Sequence, residues 1–243
     1  MSMTFRDCVA EFVGKPPGSV GVYMIHLQRA TEREGLVRAM EEALHTPIEL
    51  ISAADGVALV AGGHPTMCAV DSTKQRSEGE VGCLVSHVEV ARKALAAGLS
   101  HAVVFEDDCV VGGGFSLDAV QSYFRRAKKF AEEFSMGGTD DFLLLGSCGC
   151  YAWRHLTHEI KATNNFNGSH AYLIGRPMME KLVVAYEFLK EKGFVTPIDC
   201  LLPLLLRGQK RWAMCPVDDK GIFMQNRDIP SYITSDGTER RKD

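Results

Sequence analysis

Three consecutive carboxylates, Glu106-Asp107-Asp108, close the apolar run His101 to Phe105. On an extended backbone, residues two apart point to the same side, so Glu106 and Asp108 face one site while Asp107 faces away. Carboxylates gathered this closely raise each other's pKa unless a cation neutralises them. Oxygen-only ligands suit a hard ion such as Mg²⁺ or Mn²⁺, which keeps waters and shares the phosphates of a substrate. A solvated acidic turn is the plain alternative. Position favours a site, because α/β sheets bind ligands at the carboxyl ends of their strands.

Two further segments carry chemistry-bearing side chains. Gly79-Glu80-Val81-Gly82-Cys83-Leu84-Val85-Ser86-His87 opens a helix with small residues. Its Ser86 and His87 are not a hydrolase dyad, because adjacent helical residues diverge and no Gly-x-Ser-x-Gly elbow accompanies them. A lone helical histidine of this kind reads as a structural or orienting hydrogen-bonder. Downstream, Asn167-Gly168-Ser169-His170-Ala171-Tyr172 leads into a strand, and Asp199 follows Thr196-Pro197-Ile198 just before an apolar run. Each of these taken singly reads equally as a loop residue.

The elements that must hold these residues follow from periodicity. Val20 to Leu27 and Ile48 to Ile51 read as strands, joined by a helix that Thr31 caps and that runs to about Leu44. Gly62 to Pro65 and Ser72 to Glu80 read as irregular surface chain. Apolar residues at helical spacing predict a helix from Glu80 to Ala97, stopped by Gly98, and another after Ser116 through Phe134. Phe142 to Leu145 and His170 to Ile174 read as buried strands. Arg176 to Glu191 reads as a helix with Pro177 in its first turn, Ile198 to Leu206 as a shorter apolar segment, and Arg211 to Cys215 as a last strand. Alternating strands and helices predict an α/β sandwich around a largely parallel sheet.

Composition sets outer bounds. The 243 residues are 46% hydrophobic and 24% charged, which excludes disorder, collagen and a disulfide-stapled mini-protein. With 31 acidic against 27 basic residues the formal charge is -4, so no broad grip on nucleic acid or anionic lipid is expected. The eight cysteines lack the spacing of a disulfide framework or zinc knuckle and read as buried thiols in a reduced compartment. Arg6, Asp7 and Glu11 exclude a signal-peptide core, and the longest apolar runs fall far below the roughly 20 residues of a membrane span. A cytoplasmic protein with no transmembrane segment is expected.

The order of the pieces resembles glycosyltransferase family 25, which includes bacterial lipooligosaccharide galactosyltransferases and collagen hydroxylysine galactosyltransferases. The resemblance rests on Val22-Tyr23-Met24-Ile25-His26-Leu27 with Arg29 and Arg33, on Ala53-Ala54-Asp55-Gly56, on Gly79 to His87, on Val103 to Asp108, and on Ser169 to Ile174. It spans about residues 20 to 206. The Gly-Cys-Leu-Val-Ser-His and Glu-Asp-Asp segments, about 20 residues apart, are together far more specific than either alone.

That resemblance implies a GT-A type nucleotide-diphospho-sugar transferase fold, with a mixed, mostly parallel central sheet flanked by helices. It further implies inverting transfer of a hexose, galactose or glucose, from a UDP-sugar to a glycan or other hydroxyl acceptor. Mn²⁺ or Mg²⁺ would sit at Glu106 and Asp108, the latter bound directly to the ion. Leu27, Arg29, Arg33, Asp55, Ser86, His87, Glu106, Asp107 and His170 would line the donor site, with Asp55 near the base or ribose and Arg33 near the diphosphate. Asp199 would be the base that deprotonates the acceptor.

The chain departs from the family pattern at three points. His26 stands where the family usually has Asn, and Cys200 replaces an acidic neighbour of Asp199. No histidine follows His170, so diphosphate oxygens, water, His170, Asp218 or Asp219 would complete the ion's coordination. The expected organisation is an N-terminal extension over 1–18, a transferase domain over 19–227 and a tail over 228–243. The alternatives are a catalytically inactive relative that binds a nucleotide sugar or glycan, and a metal-dependent phosphohydrolase. The second lacks the His/Asp clusters of a two-metal site.

Overall fold

The computed structural model describes residues 3–66, 78–113, 115–133, 141–146, 149–155, 160–208, 213–216, 222–226 and 228. Within them, eight strands form one sheet: β1 (Val20–His26), β2 (Glu49–Ser52), β3 (His101–Glu106), β5 (Phe142–Gly146), β6 (Gly149–His155), β7 (Ile160–Asn167), β8 (Ala171–Gly175) and β9 (Ala213–Pro216). Their order is β2-β1-β3-β8-β5-β9-β7-β6. Pairing is parallel in β2-β1-β3 and between β5 and β9, and antiparallel at the other four junctions. A short ribbon of β4 (Cys109–Val111) and β10 (Phe223–Gln225) stands apart from that sheet.

Both faces of the central strands are covered, which is why these strands read as near-continuous apolar runs. Tyr23, Ile25, Val104, Phe142, Leu144, Tyr172 and Ile174 point to one core, while Val22, Met24, Val103, Phe105, Leu143, Leu145 and Leu173 point to the other. The first core is closed by α4 (Glu78–Ala96), α6 (Arg176–Glu191) and α7 (Ile198–Gly208), the second by α1 (Phe5–Val13), α2 (Glu34–Leu44) and α5 (Leu117–Glu133). The expected α/β layering around a mixed sheet is found; parallel pairing dominates only at the β2-β1-β3 end, with three of the seven junctions parallel in all.

Several local expectations need correction. Helix α1, which the sequence divides off as an extension, inserts Phe5, Val9 and Phe12 into the second core, and the Phe12 ring stacks on Phe124 at 4.9 Å. Thr31 does not cap α2. It lies in a 3₁₀ turn, Thr31–Arg33, and neither that turn nor α2 has a side-chain cap. The Asp55 loop continues into a short helix, α3 (Gly56–Ala61), whose first amides, Val57 N and Ala58 N, donate to Asp55 Oδ1. Ser116 does cap α5, through Ala119 N at 3.1 Å. Residues 67–77, 211–212 and all of the 228–243 tail except Asp228 lie outside the described residues.

Candidate active site

The acidic triplet sits where β3 leaves the sheet, and its three carboxylates have three different environments. Asp107 turns into the protein, 4% exposed, and accepts hydrogen bonds from His26 Nδ1 at 2.9 Å, from Leu27 N at 3.0 Å and from the Arg33 guanidinium. Arg33 is itself only 5% exposed. Its charge is therefore matched by the protein's own carboxylate. The resemblance places Arg33 at the diphosphate and Asp107, with Leu27, in the donor site. Here all three, with His26, join the ends of β1 and β3 from below.

Glu106 faces the opposite way. Its Oε1 lies 3.2 Å from His87 Nε2, and the other ring nitrogen of His87 lies 2.8 Å from the Tyr172 hydroxyl. Burial pushes the Glu106 carboxyl up, but the His87 hydrogen bond and the charges of His87, His170 and Arg33 outweigh it and hold the group below its ordinary value.

Asp108 shares that side of the turn. Its Oδ2 accepts from Gln225 Nε2 at 3.0 Å, and its carbonyl accepts from Asn226 N at 2.7 Å, so β10 fixes the turn from outside the main sheet. The other carboxylate oxygen, Oδ1, is buried without a hydrogen-bond partner among the described residues. Burial first, and then the charge of Glu106, push the Asp108 carboxyl up to about 7. A buried, orphaned carboxylate oxygen beside a second carboxylate is the environment a hard cation stabilises, and Glu106 with Asp108 fit the divalent ion that the resemblance implies.

Asp199 approaches from α7. Its Oδ2 accepts from Gly168 N at 2.8 Å and its Oδ1 from Ser169 Oγ at 2.7 Å. Burial holds it above its ordinary value against those two hydrogen bonds, and the charges of Glu106 and His87 act on it as well. His170, next in the chain, is 2% exposed, and its carbonyl accepts from Glu106 N at 3.0 Å. Its ring packs on Gly146, where a Cβ would come within 2.5 Å of Nε2.

The structure thus brings Glu106, Asp108, His87, His170 and Asp199 together. Ser86 and Asp55 have other surroundings. Ser86 is fully buried and stitches the Asp55 loop to α4, accepting from Ala54 N at 2.9 Å and donating to Gly82 O at 2.6 Å. Asp55 pairs with Arg29 at 2.9 Å in an exposed contact beside an open cavity of about 540 Å³ lined by Ala54, Ala58, Gly63, His64 and Lys190. Asp218 and Asp219 lie outside the described residues.

Four residues join the site unforeseen: His26, Cys83, Tyr172 and Gln225. His26 was visible only as a departure from the family pattern, and Cys83 only as a cysteine one helical turn before His87. Nothing marks Gln225, 117 residues beyond the aspartate it holds.

Against known proteins, the model of "Glycosyltransferase family 25 (LPS biosynthesis protein)" matches residues 20–202. The chain belongs to glycosyltransferase family 25. Every residue of the acidic cluster lies within that match. No curated protein matches it. Among solved structures, a glycosyltransferase involved in glycosylation of the major capsid of PBCV-1 is similar at TM-score 0.36 and 8% identity, over 71% of this chain and 66% of that one. The chain thus covers slightly less than two thirds of that protein's length. A197 from STIV aligns at TM-score 0.38 and 12% identity over 88% and 97% of the two chains, and UDP-glucose pyrophosphorylase complexed with UDP-glucose at 0.37 and 8% over 86% and 76%. Among the described residues no helix is long and apolar enough to cross a membrane.

Proposed function

We propose that this family 25 member transfers a hexose, galactose or glucose, from a UDP-sugar to a hydroxyl of a glycan acceptor, with inversion at the anomeric carbon and with Mn²⁺ or Mg²⁺ at Glu106 and Asp108. The observation that carries this reading is the buried Oδ1 of Asp108, without a hydrogen-bond partner among the described residues, in a carboxylate whose pKa the charge of Glu106 helps to raise, just beyond the carboxyl end of β3. When bound, the ion would supply neutralisation of the charge that develops on the departing diphosphate.

The remaining work falls to the chain's own groups. His87 donates to Glu106 and keeps its carboxylate aimed, and Tyr172 fixes the His87 ring in turn. Asp107, held by His26 and Arg33, sets the turn so that Asp108 projects beside Glu106. Asp199 takes the proton from the acceptor hydroxyl as that oxygen attacks from the face opposite the diphosphate. A buried carboxylate with a raised pKa suits that role, since a base works best when its pKa approaches the working pH. Gly168 N and Ser169 Oγ occupy only part of its acceptor capacity, so lone pairs remain for the hydroxyl.

The direct test incubates the protein with a panel of nucleotide sugars and Mn²⁺ and measures released nucleoside diphosphate. Release with a UDP-hexose that disappears with EDTA and in Asp108→Ala is expected. Release that survives both would refute the cation, and none with any donor would favour an inactive binding relative.

A further inference from the structure

Beside the carboxylate pair lies a second set of ligands of different chemical character. Cys83 and His87 occupy positions i and i+4 of α4, so both project from one helix face towards the end of β3. One ligand atom from each of Cys83, His87 and Glu106 lies within 4.8 Å of the others, and His87 Nε2 is 3.2 Å from Glu106 Oε1. In a tetrahedral zinc site with Zn–S near 2.3 Å and Zn–N and Zn–O near 2.0–2.2 Å, neighbouring ligand atoms stand about 3.3–3.6 Å apart. The nitrogen–oxygen separation of 3.2 Å is within about 0.1 Å of that spacing, and the sulfur lies no more than 4.8 Å from both atoms. Cys83 is in no disulfide and is partly exposed, as is Glu106, so the set opens to solvent on one side.

The outer contacts match as well. A metal-bound histidine characteristically presents its second ring nitrogen to a fixed partner, which sets tautomer and ring orientation. The Tyr172 hydroxyl, 2.8 Å from Nδ1, with its ring stacked on His87 at 5.6 Å, is such a partner. It leaves Nε2, 3.2 Å from Glu106 Oε1, as the nitrogen free to take a metal.

The geometry points to a zinc-class cation site formed by Cys83, His87 and Glu106, with Tyr172 as its outer partner, distinct in chemistry from the oxygen-only pair at Asp108 and sharing Glu106 with it. Sulfur and imidazole select Zn²⁺ or Co²⁺ over Mg²⁺ and Mn²⁺. Binding replaces the Cys83 thiol proton and the His87–Glu106 hydrogen bond with three metal–ligand bonds: the thiol proton leaves to solvent, and His87 changes tautomer, giving up its Nε2 proton and carrying one on Nδ1, which then donates to the Tyr172 hydroxyl. Three protein ligands leave the fourth position open.

Cobalt is the probe, because a thiolate ligand gives Co²⁺ a near-ultraviolet sulfur-to-metal charge-transfer band. Titrating EDTA-stripped protein with Co²⁺, without any nucleotide sugar, should saturate this band at one equivalent, and Zn²⁺ should abolish it. Because no donor is present, the outcome is independent of the glycosyl-transfer reading. Cys83→Ser should remove the band, Cys148→Ser, Cys150→Ser and Asp108→Ala should keep it, and Tyr172→Phe should weaken cobalt binding about 10–100-fold. No band, a band that survives in Cys83→Ser, or one lost only in Asp108→Ala overturns the site. Should Cys83→Ser fail to fold by circular dichroism, His87→Gln and Tyr172→Phe decide the matter: unchanged cobalt affinity in both overturns it.

Discussion

His26 Nδ1 lies 2.9 Å from Asp107 Oδ2, so the last residue of β1 holds the turn that follows β3. Arg33 grips the other oxygen of the same carboxylate, and both side chains of that ion pair are almost wholly buried. Removing one partner of a buried pair leaves an uncompensated charge, which costs about 3–5 kcal/mol. Asp107→Ala should therefore lower unfolding free energy by about that amount in urea titrations. Asp108→Asn should not, because burial and the neighbouring Glu106 charge disfavour its carboxylate more than the charge of Arg33 and the Gln225 hydrogen bond favour it. Equal losses in the two variants would mean that Asp107 is not the anchor.

Asp108 sets a pH dependence of stability with a definite sign. Its carboxyl is raised from 3.8 to about 7 in the fold, by burial and then by Glu106, so between those values the native state holds a proton that the unfolded chain has lost. Its contribution to stability is thus complete below about pH 4 and is lost as pH rises through 7. Metal-free protein should lose melting temperature across that window more steeply than Asp108→Asn does. Mn²⁺ should restore it, with the larger rise at the alkaline end, where the carboxylate is free to bind. Parallel melting curves of the two proteins against pH would refute the assignment.

The sheet's central strands were legible because both faces are covered, which makes them plain apolar runs. That Asp107 points away from Glu106 was legible too, although β3 ends at Glu106 and a turn, not continued strand alternation, directs it. Its partners were not: alternation says that a side chain points away from a site, not that Arg33, 74 residues earlier, waits there. For the same reason Gln225 gave no signal, its contact with Asp108 depending on how β10 pairs with β4. The hairpin of β6 and β7 was missed because Lys161, Thr163, Asn164, Asn165 and Asn167 spoil its apolar pattern, and α3 because six residues carry too little periodicity. Cys83 and His87 were read one at a time, although their spacing already placed them on one helix face.

Two glycines control how closely the Asp55 loop approaches α4. A Cβ on Gly56 would stand 1.7 Å from Glu78 O, and one on Gly82 would stand 2.5 Å from Ala54 O, both backbone atoms that no rotamer change can move. Gly56→Ala and Gly82→Ala should each lower the melting temperature, and Ser86→Ala should cost about 1–3 kcal/mol by leaving the Ala54 amide without its acceptor. Thermal melts of the three variants check this. A stability in Gly82→Ala equal to the parent's would show that the loop is not packed against the helix.

Asp199 separates proton removal from donor binding. Its oxygens accept from Gly168 N and Ser169 Oγ; Asp199→Asn can keep the Gly168 amide on its carbonyl oxygen and reverse the other contact, the Asn NH2 donating to Ser169 Oγ, while removing the basic carboxylate. A positioned general base contributes typically about 10²–10⁴-fold, and kcat for sugar transfer should fall by that range. The KM for the UDP-sugar should stay near the parent value, because in this reading the donor's diphosphate would be held by the cation at Glu106 and Asp108, not by Asp199. Asp108→Ala should show the opposite pattern, with donor binding lost alongside turnover. A raised donor KM in Asp199→Asn with kcat unchanged would make Asp199 a donor-positioning residue and send the search for the base elsewhere in the cleft.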